Sequence, residues 1–375
     1  MSSLPQTFLT SRDSQPTLVV VFLRGGADGL SLVAPVEEDA YHRARPRIAI
    51  SKKEAIPLDG FFGLNPLLRE LEPAWKEGDL AIIHGAGTED QTRSHFEAQD
   101  LMEHGGLAAG GWLGRFLRAR PEAANGALSC VAVGRLLPES ILGAPSATVM
   151  ENLDDFSFGG GSTTLSRELQ RLYNLETDRL GVAARDTFDA LQRLDTMRSS
   201  SYSPANGAAY EKDEFAQGLQ QIARLIKANV GLEAASLDVG GWDSHFTQGT
   251  VLEPLLPKLA KGIAAFRRDL GEAMAKTTLV VMTEFGRRVR ENSAFGTDHG
   301  RGSVMFALGG GVRGGRVIGP WTGLTEEHLE GPGDVPVLNN YRDVLAPILV
   351  RHGATQESLA RIFPDFDFKP LTLFG

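Results

Sequence analysis

Cysteine is nearly missing from this chain: Cys130 is the only one among 375 residues. A lone thiol excludes an internal disulfide framework and cannot build a cysteine-rich zinc site, so any bound metal must be held by histidine and carboxylate. Basic residues are also outnumbered, with 38 Lys and Arg against 47 Asp and Glu and a formal charge of -9. Without a general excess of cations to neutralise a phosphate backbone, nucleic acid is not an expected partner. Long apolar runs are lacking too. The longest, such as Leu18–Leu23 and Leu279–Met282, are far too short to span a bilayer. The opening residues, MSSLPQTFLTSRDSQPT, show neither the charged-then-apolar pattern of a secretory signal nor a twin-arginine pair. These absences lead to the expectation of a soluble, cytoplasmic protein with no membrane partner.

What is present is a regular alternation of apolar strands and amphipathic helices. Thr17–Leu23 (TLVVVFL) is a continuous β-branched and aromatic run ending in the glycine turn Arg24-Gly25-Gly26-Ala27-Asp28-Gly29. Leu80–Gly85, Leu128–Gly134, Thr278–Thr283 and Val304–Gly309 repeat the pattern, and helical stretches at Asn65–Glu77, Ser94–His104, Glu211–Asn229, Pro254–Ala275 and Tyr341–His352 separate them. Such alternation predicts an α/β fold, a mostly parallel central sheet with helices on both faces. The rhythm breaks between about Leu153 and Ala208, where the glycine-rich Phe158-Gly159-Gly160-Gly161-Ser162 and the polar Arg198-Ser199-Ser200-Ser201 flank a helical middle. The expected organisation is one domain over residues 1–375, with 153–208 as a helical insertion or cap.

Parallel sheets bind ligands beyond the carboxyl ends of their strands, so the residues that follow each apolar run come first. Asp28 follows the first strand, although an Asp-Gly pair is also an ordinary turn. Thr92-Arg93-Ser94-His95-Phe96-Glu97 opens a helix after Leu80–Gly85. There Ser94 meets the positive end of the helix dipole, where a phosphoryl or sulfuryl oxygen is stabilised, and a metal can turn its hydroxyl into a nucleophile. Ser94 and Glu97 also have the spacing of a capping box. Asp243 and His245, two apart in Gly240-Gly241-Trp242-Asp243-Ser244-His245, point to one side of an extended segment and can grip one ion, with Trp242 as a pocket wall. Glu284 directly follows the most apolar strand, and Arg287 after it can clamp an anion. Asp298-His299, set between glycines, offers two more ligands. Several such clusters converging on one sheet edge suggest a binuclear site. The other histidines, His42, His84, His104, His328 and His352, read as structural or surface residues.

The segments LRGGADGLSLVAP, TRSHFEAQD, GGWDSH, TEFGRRVREN and GTDHGRGSVMFALGGGVRGG occur in this order. Together they resemble the bacterial family called domain of unknown function fifteen-oh-one. That family is placed beside alkaline phosphatases, sulfatases and cofactor-independent phosphoglycerate mutases. The resemblance implies an alkaline phosphatase-like three-layer sandwich with a metal site at the sheet edge. It assigns Asp28 as the first ligand, Ser94 as the nucleophile with Thr92 as its rival, Asp243 and His245 as the middle ligands, and Glu284, Asp298 and His299 as the late ones. The chain departs from the wider pattern in having Glu284-Phe285 where Asp-His is usual. No sulfatase-type cysteine motif surrounds Ser94.

The implied activity is metal-dependent hydrolysis or transfer at a phosphate or sulfate ester of a small anionic substrate. Arg93 or Arg287 would stabilise charge on the transferred group. Zinc is the expected ion, with manganese, calcium or iron as alternatives. Two other readings use the same residues. Asp243, His245 and His299 could hold iron(II) for oxygen chemistry. Alternatively the fold serves as a non-catalytic scaffold that binds a partner through glycine-rich loops such as Leu308–Gly315.

Overall fold

The computed structural model of the chain describes residues 16–120, 126–153, 163–199 and 202–375. Twelve strands are assigned among them: β1 (Thr17–Leu23), β2 (Val33–Ala34), β3 (Ile56–Pro57), β4 (Gly63–Leu64), β5 (Leu80–Gly87), β6 (Cys130–Val133), β7 (Thr148–Met150), β8 (Ala234–Val239), β9 (Thr277–Met282), β10 (Ser303–Gly309), β11 (Arg316–Ile318) and β12 (Asn339–Asn340). Nine of them form one sheet in the order β11-β5-β10-β9-β1-β8-β6-β7, with β12 added to β5. Strand β10 runs antiparallel to both its neighbours, and every other pairing is parallel. The expected large, mostly parallel sheet is therefore present. A small antiparallel sheet, β2-β4-β3, stands apart.

The unbroken apolar strands are explained by burial on both faces. In β1 the side chains of Val19, Val21 and Leu23 enter one core, and those of Leu18, Val20 and Phe22 enter the other. This is the two-residue periodicity of a strand with no solvated side. Helices Glu214–Lys227 and Gln248–Leu270 cover the first face through residues such as Phe215, Leu219, Leu256 and Phe266. Helices Trp112–Ala119 and Tyr341–Arg351 cover the second through Trp112, Phe116, Val344 and Ile348. At roughly 1.5–3 kcal/mol for each large apolar side chain fully buried, these two interfaces dominate the stabilisation. Helix Tyr341–Arg351 starts where the sequence places it, with the Asn340 side chain accepting a hydrogen bond from the Arg342 amide.

Two parts differ from the sequence reading. Strand β8 was not anticipated, because AASLDV is short on β-branched residues, yet it lies next to β1 in the middle of the sheet. The stretch Thr164–Arg198, expected to be helical, contains two helices, Thr163–Leu175 and Arg179–Ser199. The glycine run Phe158–Ser162 and Ser200-Ser201 lie outside the described residues, as does the N-terminal segment 1–15. Among the described residues no helix is long and apolar enough to cross a membrane.

Candidate metal centre

The carboxyl ends of the parallel strands bring distant loops together. Helix His95–His104 follows β5, Asp243 and His245 follow β8, and His299 lies between β9 and β10. The approach is close enough to demand glycine. A Cβ on Gly25, whose φ is +120°, would sit 2.6 Å from the Asp243 amide nitrogen, and one on Gly300 would sit 2.4 Å from the Arg287 carbonyl carbon.

Three imidazoles face one carboxylate oxygen. Asp243 Oδ1 lies 3.6 Å from His95 Nε2, 3.3 Å from His245 Nε2 and 3.5 Å from His299 Nε2. The Nε2 atoms of His245 and His299 are 2.8 Å apart. His95, Asp243 and His299 form the one group of potential metal donors found among the described residues, with ligand atoms all within 4.8 Å of one another. This is one candidate group among the described residues, beside the expectation of a binuclear site.

The opposite ring nitrogens explain why Nε2 is the free end. His95 Nδ1 is 2.8 Å from Glu284 Oε1, and His299 Nδ1 is 2.8 Å from the Arg93 carbonyl oxygen. Both partners only accept hydrogen bonds, so Nδ1 must donate and a neutral ring then offers its lone pair at Nε2. Outer acceptors of this kind orient most metal-binding histidines. His95 Nε2 is buried and has no hydrogen-bond partner. A buried polar atom left unpaired is costly, and a cation would satisfy it. Four donors around an ion at about 2.0–2.2 Å would be separated by roughly 3.4 Å in a tetrahedron, close to the spacings seen here. Imidazole and carboxylate donors suit zinc, and also iron(II) or manganese.

Electrostatics favour the liganding forms. Burial pushes the Asp243 carboxyl up, but the hydrogen bond and charge of Arg287, helped by His245 and His95, hold it below the usual carboxylate range. Burial lowers the His299 imidazole, and the charges of Arg287 and its neighbour histidines lower it further, against the Arg93 carbonyl bond. Glu284 is raised by burial but held low overall by hydrogen bonds from His95, Gln99 and the Gly25 amide.

The other predicted residues take different places. Glu284 stands behind His95, and Asp298 stands behind His245 with Oδ1 3.7 Å from Nδ1, while its other oxygen is 3.4 Å from Arg288 Nη1. Asp28 does not join the cluster. Both of its oxygens are engaged by Arg45, at 2.5 and 3.0 Å, and Ser31 and Gln248 bond to it as well. Arg287 is buried and points at Asp243 Oδ1 at 2.7 Å, with other donors on the carbonyls of Gly25, Gly26 and Thr297. It orients Asp243, and with four of its five N–H donors engaged and the side chain buried it is not presented to clamp an anion. The Arg93 guanidinium binds Asp334. Ser94 caps helix His95–His104 by position but makes no capping hydrogen bond, so the expected capping box is not formed, and Thr92 Oγ1 instead bonds Glu97 at 2.6 Å. Trp242, expected in a pocket wall, is fully buried in the core. His95 was not singled out as a ligand. Its signal was its place at the first turn of a helix after a buried strand.

A family model described as a protein of unknown function, DUF1501, matches residues 74–368, and the chain belongs to that family. None of the curated proteins compared matches the sequence. Among solved structures, a mutant TAB5 alkaline phosphatase with Mg bound is similar at 9% identity and a TM-score of 0.34, over 80% of this chain and 92% of that one. The C-terminal periplasmic domain of EcEptC from Escherichia coli, in complex with Zn, is similar at 10% identity and a TM-score of 0.32, over 80% and 74%. BT1596, a 2-O GAG sulfatase, is similar at 10% identity and a TM-score of 0.34, over 95% and 76%. Likenesses this loose leave the functional reading to the site itself.

Proposed function

We propose that the chain is a metal-dependent hydrolase or transferase acting on a phosphoric or sulfuric ester, built as one alkaline phosphatase-like domain with residues 153–208 as a cap. The observation that carries this reading is the convergence of three Nε2 atoms on Asp243 Oδ1, with the Nδ1 atoms of His95 and His299 held by acceptors. His95, Asp243 and His299 hold the ion, and His245 completes the donor set. A divalent ion bound there supplies Lewis acidity toward the ester oxygens. Arg287 keeps Asp243 ionised and aimed. Glu284 and the Arg93 carbonyl fix the tautomers of His95 and His299. Ser94, free of a capping bond at the positive end of its helix, is the hydroxyl whose oxygen forms the new bond to phosphorus or sulfur as the ester bond breaks, the substrate's alcohol leaving with the proton that the serine gives up. Water then releases the phosphoryl or sulfuryl group and restores the serine.

Metal analysis coupled to a screen with 4-nitrophenyl phosphate and 4-nitrophenyl sulfate tests this. One ion per chain and metal-dependent hydrolysis are expected. His299→Ala loses both, whereas Ser94→Ala keeps the ion and loses turnover. A chain that binds no zinc, manganese, calcium or iron and hydrolyses neither ester overturns the reading.

One observation favours a second chemistry at the same place. His245 and His299 touch through Nε2 and both face Asp243, which is a two-histidine, one-carboxylate set of the kind that holds iron(II) in oxygenases. Oxygen uptake by the iron(II)-loaded chain, with no ester hydrolysis, would select that alternative.

A further inference from the structure

Beside the metal centre lies a cavity of about 840 Å³, within the range of roughly 300–1,000 Å³ that small-molecule sites occupy. Asn292 and Asp298 line it, and both also touch His245: the Asn292 amide donates to the His245 carbonyl at 2.9 Å, and Asp298 backs its ring. The cavity is thus one side chain removed from the cluster. Its floor is apolar, including the buried Val289 and Leu324 of a separate small core. Its wall carries three guanidinium groups, Arg43, Arg288 and Arg290.

The charges on that wall do not cancel locally. Glu291 is held by Arg47 at 2.5 Å, and Asp298 is held by Arg288. Glu326 is the one wall carboxylate with no ion pair among the described residues. Arg43 and Arg290 are exposed and make no ion pair among the described residues, so two guanidinium groups face the space with their donors open. Guanidinium forks match the planar oxygens of carboxylate, sulfate or phosphate, and an apolar floor suits the body of an organic molecule.

We infer that this cavity binds a second anionic group of the substrate, carried on an organic body and separate from the ester that reacts, with Arg43 and Arg290 as the residues that recognise it. The inference rests on the ester reading of the neighbouring centre, because it makes the substrate an organic molecule with two anionic groups that straddle His245. Arg43 and Arg290 then set specificity rather than chemistry.

The test uses the full chain stripped with EDTA, so that no ion at the cluster can attract the probe. Phenyl phosphate, an anion on an apolar body, is titrated calorimetrically into the wild type and into R43E/R290E. Both positions are exposed, so the variant is expected to fold, and an unchanged circular dichroism melt confirms it. Binding by the stripped wild type and at least tenfold weaker binding by the variant are expected. Equal binding by both, or no binding by the stripped wild type, overturns the inference. Zinc content and 4-nitrophenyl phosphate hydrolysis are measured on the same preparations with zinc restored. If those persist while arginine-dependent binding is absent, only the cavity assignment falls. If arginine-dependent binding persists while zinc and hydrolysis are absent, the ester reading falls and the anion site stands.

Discussion

Asp28 and Asp243 have nearly the same surroundings in sequence, each ending a Gly-Gly-x-Asp segment, and they follow two strands that lie side by side and parallel. Their fates differ because of what each side chain meets. Asp28 is 1% exposed and faces Arg45, 0% exposed, in an ion pair completed by Ser31 and Gln248. Asp243 is 47% exposed and faces three imidazoles, one of them with an unpartnered nitrogen. A carboxylate whose oxygens are saturated by a fixed cation is structural. Asp243 also takes a hydrogen bond from Arg287, but it stays half exposed with three imidazoles around one oxygen, the arrangement the proposed ligand role needs. The two sites are also connected, since Gln248, which donates to Asp28, accepts hydrogen bonds from Ser244 and Thr297, each next to a residue of the metal cluster or its backing.

The largest effect that would sharpen this contrast is expected at the saturated site. Asp28→Ala leaves the Arg45 guanidinium buried without its counterion, and breaking a buried pair in this way costs about 3–5 kcal/mol. Urea denaturation at neutral pH should show that loss, with metal binding weakened only through the Gln248 link. If Asp28→Ala instead keeps full stability and abolishes metal binding, Asp28 is a ligand after all and the comparison collapses.

The imidazoles repeat the contrast. His84 has both nitrogens satisfied, Nε2 against the Val33 carbonyl and Nδ1 against the Gly85 amide, each at 3.0 Å, and it stacks on Phe62. Burial lowers its pKa from 6.5 to about 4, against the opposing Val33 bond. Because the folded value is depressed, the stabilisation is fully present above pH 6.5, where both states are neutral. It is lost as the pH falls toward 4, where the unfolded chain takes up the proton first. A drop to pH 4 should remove about 3 kcal/mol through this one residue. Denaturation curves at pH 7 and pH 4 should therefore lie closer together in His84→Gln than in the wild type. Curves that keep the same separation would mean that His84 is no more constrained to neutrality than an exposed histidine.

Much of the sheet could be read directly because its strands are buried on both faces and so appear as runs such as TLVVVFL. Strand β8 was missed for the converse reason. Its small and polar residues, Ala234, Ala235, Ser236 and Asp238, carry no apolar run, and its place is set by neighbours on both sides. At the site, the pairing of Asp243 with His245 was legible because two-residue spacing is a local property. The roles of His95, Glu284 and Asp28 were not. Whether a strand-end carboxylate meets a lone pair, a ring N–H or a guanidinium depends on a partner such as Arg45 or His95, far away in the chain. Glycine positions hinted at close approach but not at what approaches.

Glu284 is where the comparison can be broken most finely, because it lies between the two extremes. It is fully buried like Asp28, yet its partner is a ring of the cluster: Oε1 accepts from His95 Nδ1, Gln99 Nε2 and the Gly25 amide, each at 2.8 Å. An amide at this position can still accept the His95 proton but no longer carries the charge that makes the ring a stronger donor to metal. Removal of an outer partner of this sort typically weakens metal affinity by about 10–100-fold, so Glu284→Gln should retain zinc with that loss in competition against a chelator. A first-sphere ligand would behave differently, and complete loss of zinc from Glu284→Gln with the fold intact would move Glu284 into direct contact with the ion. Unchanged affinity would instead place it with Asp28, as a residue that holds loops together and does not tune the ring in front of it.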